Sequence, residues 1–141
     1  MISKLRRPCM LLCTLLVTFL AHSQCTIEQL PSVQYKGHSI QLSDTTKKVL
    51  NRVGGTLKQN PECNLRVSGH ATQTKAGQQL SWDRVNAVIR YLIERIGISP
   101  SRLLFEYGTE GNPNTVDLQP TTDEGANTIP APHPNLQRIK H

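Results

Sequence analysis

The sequence predicts an α/β fold, more specifically an α+β two-layer sandwich in which helices cover one face of a small mixed sheet. Short runs of alternating apolar and polar residues, typical of strands, are followed along the chain by longer runs whose apolar residues recur at helical spacing. Glycine, proline and capping residues stand between these runs, where elements begin and end. The 141 residues have the length of one domain, and the predicted order is β-α-β-α-β-β.

Three strands are predicted first, at 32–36, 63–70 and 102–107. The second, CNLRVSGH, alternates most clearly, because Leu65 and Val67 point to one face and the polar residues beside them point to the other. This alternation indicates a strand with one face on a core.

The first helix is predicted at 43–58. Ser43 is a good N-cap, and the acidic residue after it complements the helix dipole. Gly54 and Gly55 lie inside the run, where each costs about 1 kcal/mol relative to alanine. Two interpretations remain open: the glycines let the helix approach a neighbour closely, or they mark its early end. Pro61 stops the helix in either case.

The second helix is predicted at 78–96 and ends before Gly97, a typical C-terminal stop. It carries an apolar stripe that is broad enough to cover part of a sheet. The stripe consists of Leu80, Val85, Val88, Ile89, Leu92, Ile93 and Ile96.

The C-terminal part of the chain has weaker signals. Residues 109–134 are rich in Pro, Gly, Thr and Asn, which predicts one long loop with at most short turns. The last segment, NLQRIKH at 135–141, predicts a final strand.

The N-terminus has the pattern of a secretory signal peptide. Three basic residues precede an apolar run of 12 residues, which is too short to span a membrane, and small residues follow it. We therefore expect cleavage of residues 1–23, an N-terminal arm at 24–30 and no transmembrane segment in the mature chain. Lipidation at Cys25 is less favoured, because Gln24 stands where lipidation signals have a small residue. A retained membrane anchor is the other alternative.

Cleavage changes the charge and the cysteine count. It removes three of the 16 Lys and Arg and none of the 10 Asp and Glu, which leaves a net charge of +3. No basic stripe with interleaved aromatic residues is present, so nucleic-acid binding is not expected. Cys25 and Cys63 remain as an even pair in an oxidising compartment, which predicts a disulfide. Further ligands at the close spacing of a zinc site are missing, and no metal or cofactor is expected.

Several motifs after residue 63 occur together in one known family. A strand ends in GHAT, the next helix contains LSWDR, a YL pair and GI, and SRLLFEYG and GNP follow. In this arrangement the sequence resembles the C-terminal domain of outer membrane protein A and its relatives, the OmpA-like family, over about residues 31–141. Thr72 stands where the family has Asp, Ala71 stands where it has Thr, and Arg84 matches the family's arginine.

The resemblance implies a non-catalytic module that binds peptidoglycan in the periplasm or at the outer membrane of the Gram-negative cell envelope. The implied ligand is the diaminopimelate of the stem peptide, whose side chain ends in an ammonium and a carboxylate on one carbon. In the family the Asp meets the ammonium, and the arginine meets the carboxylate in a forked pair. Arg84 is thus the expected anion anchor. Thr72 offers no charge, which predicts weaker binding of diaminopimelate or a different ligand.

The expected site lies between the loop after the second strand and the first turns of the second helix. Its expected residues are Arg84, Thr72, His70, Ala71, Thr74, Leu80 and Ser81. No nucleophile–base pair has recognisable spacing, so an enzyme is not expected. The alternative is a degenerate scaffold of the same family that binds an envelope protein or another ligand through the altered loop. Thr72 distinguishes the two: wall binding survives if other oxygens of the chain replace the missing acid, and the partner alternative gains if none do.

Overall fold

Two helices pack on one face of a four-stranded mixed sheet, which is the predicted architecture. The described elements also follow the order β-α-β-α-β-β, although the last strand lies elsewhere in the chain than predicted. A computed structural model describes residues 24–126. A π-helical turn extends the second helix, and a 3-10 turn leads into the third strand. The elements are β1 (Val33–Gln34), α1 (Asp44–Gln59), β2 (Asn64–His70), α2 (Lys75–Tyr91), the π turn (Leu92–Ile96), the 3-10 turn (Pro100–Arg102), β3 (Leu103–Thr109) and β4 (Thr115–Thr121).

The strands lie in the order β1-β4-β2-β3, so the last of them along the chain is inserted between the first and the second. β2 and β3 are parallel and are connected by α2, whereas β4 is antiparallel to both β1 and β2. Val67 is consequently flanked by Phe105 on β3 and Leu118 on β4. This topology brings the ends of β1, β2 and β3 and the start of β4 to one edge of the domain.

The first helix confirms its predicted start. The Ser43 Oγ accepts a hydrogen bond from the Thr46 amide at 3.1 Å, which caps α1. The helix continues through both glycines to Gln59, so they do not mark an early end, and the close-approach interpretation is correct for Gly54. A Cβ atom on Gly54 would lie 2.5 Å from the Ile96 Cγ2, and only a glycine allows the two elements to approach this closely.

The second helix begins three residues before its predicted start. The Thr74 Oγ1 accepts a hydrogen bond from the Gly77 amide at 3.0 Å and so caps α2. The predicted end is correct, because the helical region stops at Gly97, which has a φ of 83°. Its last turn is π-helical rather than α-helical.

The prediction of one long loop at 109–134 is wrong, because β4 lies inside it. Only Val116 and Leu118 alternate as apolar residues there, and a strand with two apolar residues gives little periodic signal. Pro120 also argues against a strand that is inserted between two others. β1 pairs only with Thr115 and Val116 at the start of β4, however. The side of β4 that faces away from β2 is therefore unpaired at Pro120, where the missing N–H is tolerated.

Three other predictions concern the ends of the chain or the length of β1. The signal peptide at 1–23 and the final strand at 135–141 lie outside the described residues. The strand predicted at 32–36 is shorter than expected, although the Tyr35 amide still donates to the Asn114 carbonyl at 2.8 Å beyond its end.

The apolar core lies between the helices and the sheet, and the predicted disulfide closes one end of it. Cys25 and Cys63 are bonded, which ties the N-terminal arm to the start of β2. The two residues are 38 positions apart, and closing a loop of this size stabilises a fold by about 3–4 kcal/mol in the simple loop-entropy model. The largest fully buried apolar residues are Leu50, Leu57, Leu65, Leu92, Val33, Val53, Val67, Val85, Val88 and Val116.

The two neighbouring glycines of α1 provide a matched pair of variants. Gly55→Ala should stabilise the domain by about 0.5–1 kcal/mol, because its Cβ would meet nothing within 4 Å and alanine favours a helix. Gly54→Ala should instead destabilise it, because overpacking against Ile96 costs about 1–3 kcal/mol and exceeds that gain. Urea unfolding of both variants checks this. Equal stabilisation by both substitutions would contradict the close packing of α1 on the π turn.

Candidate ligand-binding site

A cavity of about 220 Å³ lies at the edge where three strands end and β4 begins. Its walls come from the turn after β1, the end of β2, the first turns of α2 and the loop before β4. We call it the edge cavity. None of its lining residues is acidic, and two are histidines. They are Gly37, His38, His70, Thr72, Thr74, Ala76, Gly77, Leu80, Pro113 and Asn114.

The loop between β2 and α2 presents hydroxyl groups to the edge cavity. The Thr72 Oγ1 lies 3.2 Å from the Thr74 Oγ1, and both residues are exposed. The Gln78 Nε2 donates to the Thr72 carbonyl at 3.4 Å and holds the loop against the helix. Thr72, which stands where the family that the sequence resembles has Asp, therefore places a neutral hydroxyl beside the start of α2.

His70 is fixed in the cavity wall from both sides of its ring. Its Nε2 lies 2.7 Å from the Asp117 Oδ2, and its Nδ1 lies 2.8 Å from the Thr109 Oγ1. A shift in the register between β2 and β3 after Ser68 brings His70 opposite Thr109. The Ser32 hydroxyl donates to the other carboxylate oxygen of Asp117 at 2.6 Å. The imidazole is thus held in one orientation by partners on three strands or their ends.

The Thr109 hydroxyl lies between the His70 ring and the backbone of β2. Its oxygen is 2.8 Å from the His70 Nδ1 and 3.2 Å from the Gly69 carbonyl oxygen. Because the Asp117 carboxylate can only accept, the His70 Nε2 carries the hydrogen of that contact. The arrangement therefore orients His70.

Arg84 is almost completely buried, with 1 % of its surface exposed. Its Nε donates to the Ser39 carbonyl at 2.9 Å, its Nη1 to the Pro113 carbonyl at 2.7 Å and its Nη2 to the Gly37 carbonyl at 2.7 Å. The Tyr35 ring faces the guanidinium, with 4.6 Å between the ring centre and Cζ, which is a cation–π contact. Because Gly37 and Pro113 line the edge cavity, Arg84 lies directly behind its wall.

The positive charge of Arg84 has no acidic partner between residues 24 and 126; its contacts there are carbonyl oxygens and an aromatic ring. Burial lowers the pKa of Arg84, with Tyr35 acting in the opposite direction, and burial also raises the pKa of Tyr35 to about 12. An arginine nevertheless stays protonated. A buried charge is costly unless an opposite charge accompanies it, so a ligand anion would be favoured beside this guanidinium.

A second cavity, of about 680 Å³, lies between β1 and the start of α1. Its lining includes Tyr35 and Ser39, which both contact Arg84, and none of the residues predicted for the site. The guanidinium therefore stands between two cavities. The edge cavity is the one that the predicted loop helps to form, and it is the candidate site.

The predicted site residues fall into two groups. Four line the edge cavity, namely Thr72, His70, Thr74 and Leu80, and three do not, namely Ala71, Ser81 and Arg84. Ser81 is buried, and its Oγ accepts a hydrogen bond from the Gly108 amide at 2.9 Å, which joins α2 to β3. Ala71 continues the pairing of β2, because its amide donates to the Thr109 carbonyl at 3.1 Å.

The other lining residues were not predicted. Two belong to the part of α2 that precedes its predicted start, and four come from segments that are distant in sequence. The signals for the latter were KGHS after the first strand and GNPN after the third, both glycine-containing turns with polar side chains. Only the position of β4 beside β1 brings those turns together. The unpredicted residues are Gly37, His38, Ala76, Gly77, Pro113 and Asn114.

Metal binding and membrane insertion each require features that can be looked for in the described residues. No group of three or more His, Cys, Asp or Glu side chains within residues 24–126 could hold a metal ion. Over the same stretch, none of the helices has the length and hydrophobicity of a membrane span.

The contacts of Asp117 predict how its carboxylate titrates. The hydrogen bond from Ser32, and then that from His70, hold the pKa of Asp117 below its usual 3.8, although burial acts in the opposite direction. Because the folded pKa is the lower one, this carboxylate stabilises the fold above about pH 4, and the contribution is lost as the pH falls through the lowered pKa. NMR titration should show Ser32→Ala raising the pKa of Asp117.

Ser99→Ala provides a matched control, since Ser99 is exposed and its side chain bonds only to Ser101 among the described contacts. It should leave the titration of Asp117 unchanged. The stability difference between wild type and Asp117→Asn should also shrink below about pH 4. Titration of Asp117 at its usual value in the wild type would overturn this account of the His70 wall.

Solved structures share this fold at low sequence identity. The peptidoglycan-associated lipoprotein from Burkholderia pseudomallei aligns with a TM-score of 0.56 and 18% identity, over 67% of this chain and 91% of that one. The periplasmic domain of Helicobacter pylori MotB gives 0.53 and 18%, over 69% and 79%. The OmpA-like domain of FopA1 from Francisella tularensis subsp. tularensis SCHU S4 gives 0.51 and 18%, over 64% and 73%. These similarities show the fold alone.

The family is shown by the sequence itself. No curated protein matches the chain significantly. The model of the OmpA family, in contrast, matches residues 34–128, which include every described strand and helix after the first residue of β1. The chain belongs to the OmpA family.

Proposed function

We propose that this domain is a non-catalytic module of the periplasm or outer membrane that binds peptidoglycan non-covalently, through the diaminopimelate of the stem peptide. Membership of the OmpA family supports the proposal. A further support is the fold shared with a Burkholderia lipoprotein whose name states an association with peptidoglycan. These similarities suggest the class of ligand, and the recognition has to come from residues of this chain.

The observation that carries the proposal is the unpaired charge of Arg84 behind the edge cavity. A guanidinium has five N–H groups, and carbonyl oxygens accept from three of them here. A carboxylate can accept two guanidinium N–H groups at once. The carboxylate at the end of diaminopimelate would therefore neutralise a charge that is otherwise buried without an anion.

Access to Arg84 depends on the turn after β1 and the loop before β4. Because the guanidinium is enclosed, a ligand carboxylate reaches it only when a carbonyl of Gly37, Ser39 or Pro113 gives up its hydrogen bond. All three residues are exposed and lie outside helices and strands. Only the donor is charged in the bond between the guanidinium and a carbonyl, whereas both partners are charged in a guanidinium–carboxylate pair, so the new bond is the stronger one. We therefore expect a local change of the cavity wall on binding.

The hydroxyl groups of Thr72 and Thr74 complete the proposed pocket. They lie at the start of α2, where the helix dipole favours a ligand carboxylate. A hydroxyl also accepts a hydrogen bond from an ammonium, but it offers no opposite charge. The ammonium of diaminopimelate is accordingly the weakly bound end of the ligand in this proposal.

Retention of the mature domain, residues 24–141, on purified sacculi tests the proposal. The wild type should be retained, and Arg84→Ala should reduce retention by at least about tenfold, because the anion loses its charged partner. Arg84→Lys should lie between them, since it keeps the charge but not the fork. Arg90→Ala is the matched control: Arg90 is exposed, lies at the C-terminal end of α2, pairs with Glu94 of the π turn at 3.0 Å, and its substitution should not affect retention.

Two comparisons make this test specific. Circular dichroism establishes that each variant is folded, so that loss of retention reports the site. Sacculi whose stem peptides contain lysine in place of diaminopimelate lack the side-chain carboxylate and should retain the domain less. Equal retention on both kinds of sacculus, or full retention of a folded Arg84→Ala variant, would refute the role of Arg84. A wild type that is not retained would refute wall binding and favour a protein partner for the altered loop.

A further inference from the structure

We propose that the edge cavity selects diaminopimelate whose side-chain amine is acylated, as it is in a peptide cross-link, over diaminopimelate with a free ammonium. The inference rests on the proposed function and specifies the ligand class of the same site. In a cross-link, the amine is bonded to the carbonyl of a neighbouring stem peptide. The ammonium has then become a neutral amide, while the carboxylate on the same carbon remains.

The first supporting observation is that the chain provides no acid for an ammonium in this cavity. All 10 Asp and Glu residues of the chain lie within residues 24–126, and none lines the cavity. Asp117 is bonded to a lining residue, but its two oxygens are occupied by Ser32 and His70. Glu110 precedes the lining loop, is exposed and is not part of the wall.

The second observation is the positive character of the surroundings. The first turn of α2 contains no acidic residue and does contain Lys75, and the cavity is lined by residues of the same turn. The helix dipole adds a partial positive charge at this end. Arg84 lies behind the opposite wall. An ammonium would meet like charge there, whereas a neutral amide would not.

The third observation is that the cavity offers what an amide needs. The Thr72 and Thr74 hydroxyls are 3.2 Å apart, and each can accept from an N–H or donate to a carbonyl. Transfer of a neutral amide from water costs far less than transfer of an ammonium. Thr72, Thr74 and Asn114 are exposed residues of the rim, so the neighbouring stem peptide can extend outwards.

Calorimetry with one pair of soluble ligands tests the inference. The ligands are a monomeric diaminopimelate muropeptide and the same muropeptide after acetylation of its only free amine. They differ only in the charge and acylation of one nitrogen. The wild type should bind the acetylated form about tenfold more tightly, whereas Thr72→Asp should prefer the free amine, because its carboxylate pairs with the ammonium. Glu110→Gln should keep the wild-type preference.

The outcomes separate this inference from the proposed function. Retention of the wild type on sacculi, combined with equal or tighter binding of the free amine, would overturn the inference and leave wall binding intact. Loss of free-amine binding in Glu110→Gln would overturn it too, since Glu110 would then supply the missing acid. A Thr72→Asp variant with unchanged preference would place the nitrogen elsewhere and contradict the proposal. Failure to bind either ligand or sacculi would refute both.

Discussion

The hydrogen bonds of the Arg84 guanidinium hold this end of the domain together. They join α2 to the turn after β1, through Gly37 and Ser39, and to the loop before β4, through Pro113. Neither segment has regular structure, so the carbonyl groups that face the interior depend on the guanidinium for their partners. The walls of the edge cavity, and with them the proposed ligand site, therefore depend on one buried cation.

Joining two loops through a buried cation that has no anion beside it lowers the stability of the folded state. A well-packed apolar side chain in such a place is often neutral or stabilising by comparison, whereas an unpaired charge is costly. The cost is offset here by the core between helices and sheet and by the Cys25–Cys63 disulfide. We interpret Arg84 as the residue that pairs with the carboxylate of the ligand. We interpret Thr72 as the residue that favours an acylated nitrogen over a free ammonium. In this proposal the two residues act on different groups of the same carbon, Arg84 on the carboxylate and Thr72 on the nitrogen.

The sequence predicted the parts of the fold that have strong periodicity or clear caps. Ser43 located the start of α1, and the alternation around Val67 located β2. β4 was missed because its periodic signal consists of two apolar residues followed by a proline, and its strand structure depends on pairing with β1 and β2. The loop between β2 and α2, with its threonine hydroxyls, was predicted from a motif. Pro113 and its neighbours line the cavity only because β4 lies beside β1 in the sheet, and no local sequence pattern encodes that order. The burial of Arg84 likewise depends on two segments that are distant in sequence.

The central claim is that a ligand carboxylate pairs with the buried guanidinium. NMR of the Arg84 side chain, with the Nε–H resonance assigned by comparison with Arg84→Lys, tests this directly during titration with the acetylated diaminopimelate muropeptide. The account predicts that this resonance shifts at the same ligand concentrations as the amides of Thr72 and Gly77, because the carboxylate displaces a carbonyl at the guanidinium. Shifts of the two amides with an unchanged Arg84 resonance would contradict it: the ligand would then occupy the cavity without pairing with the buried charge.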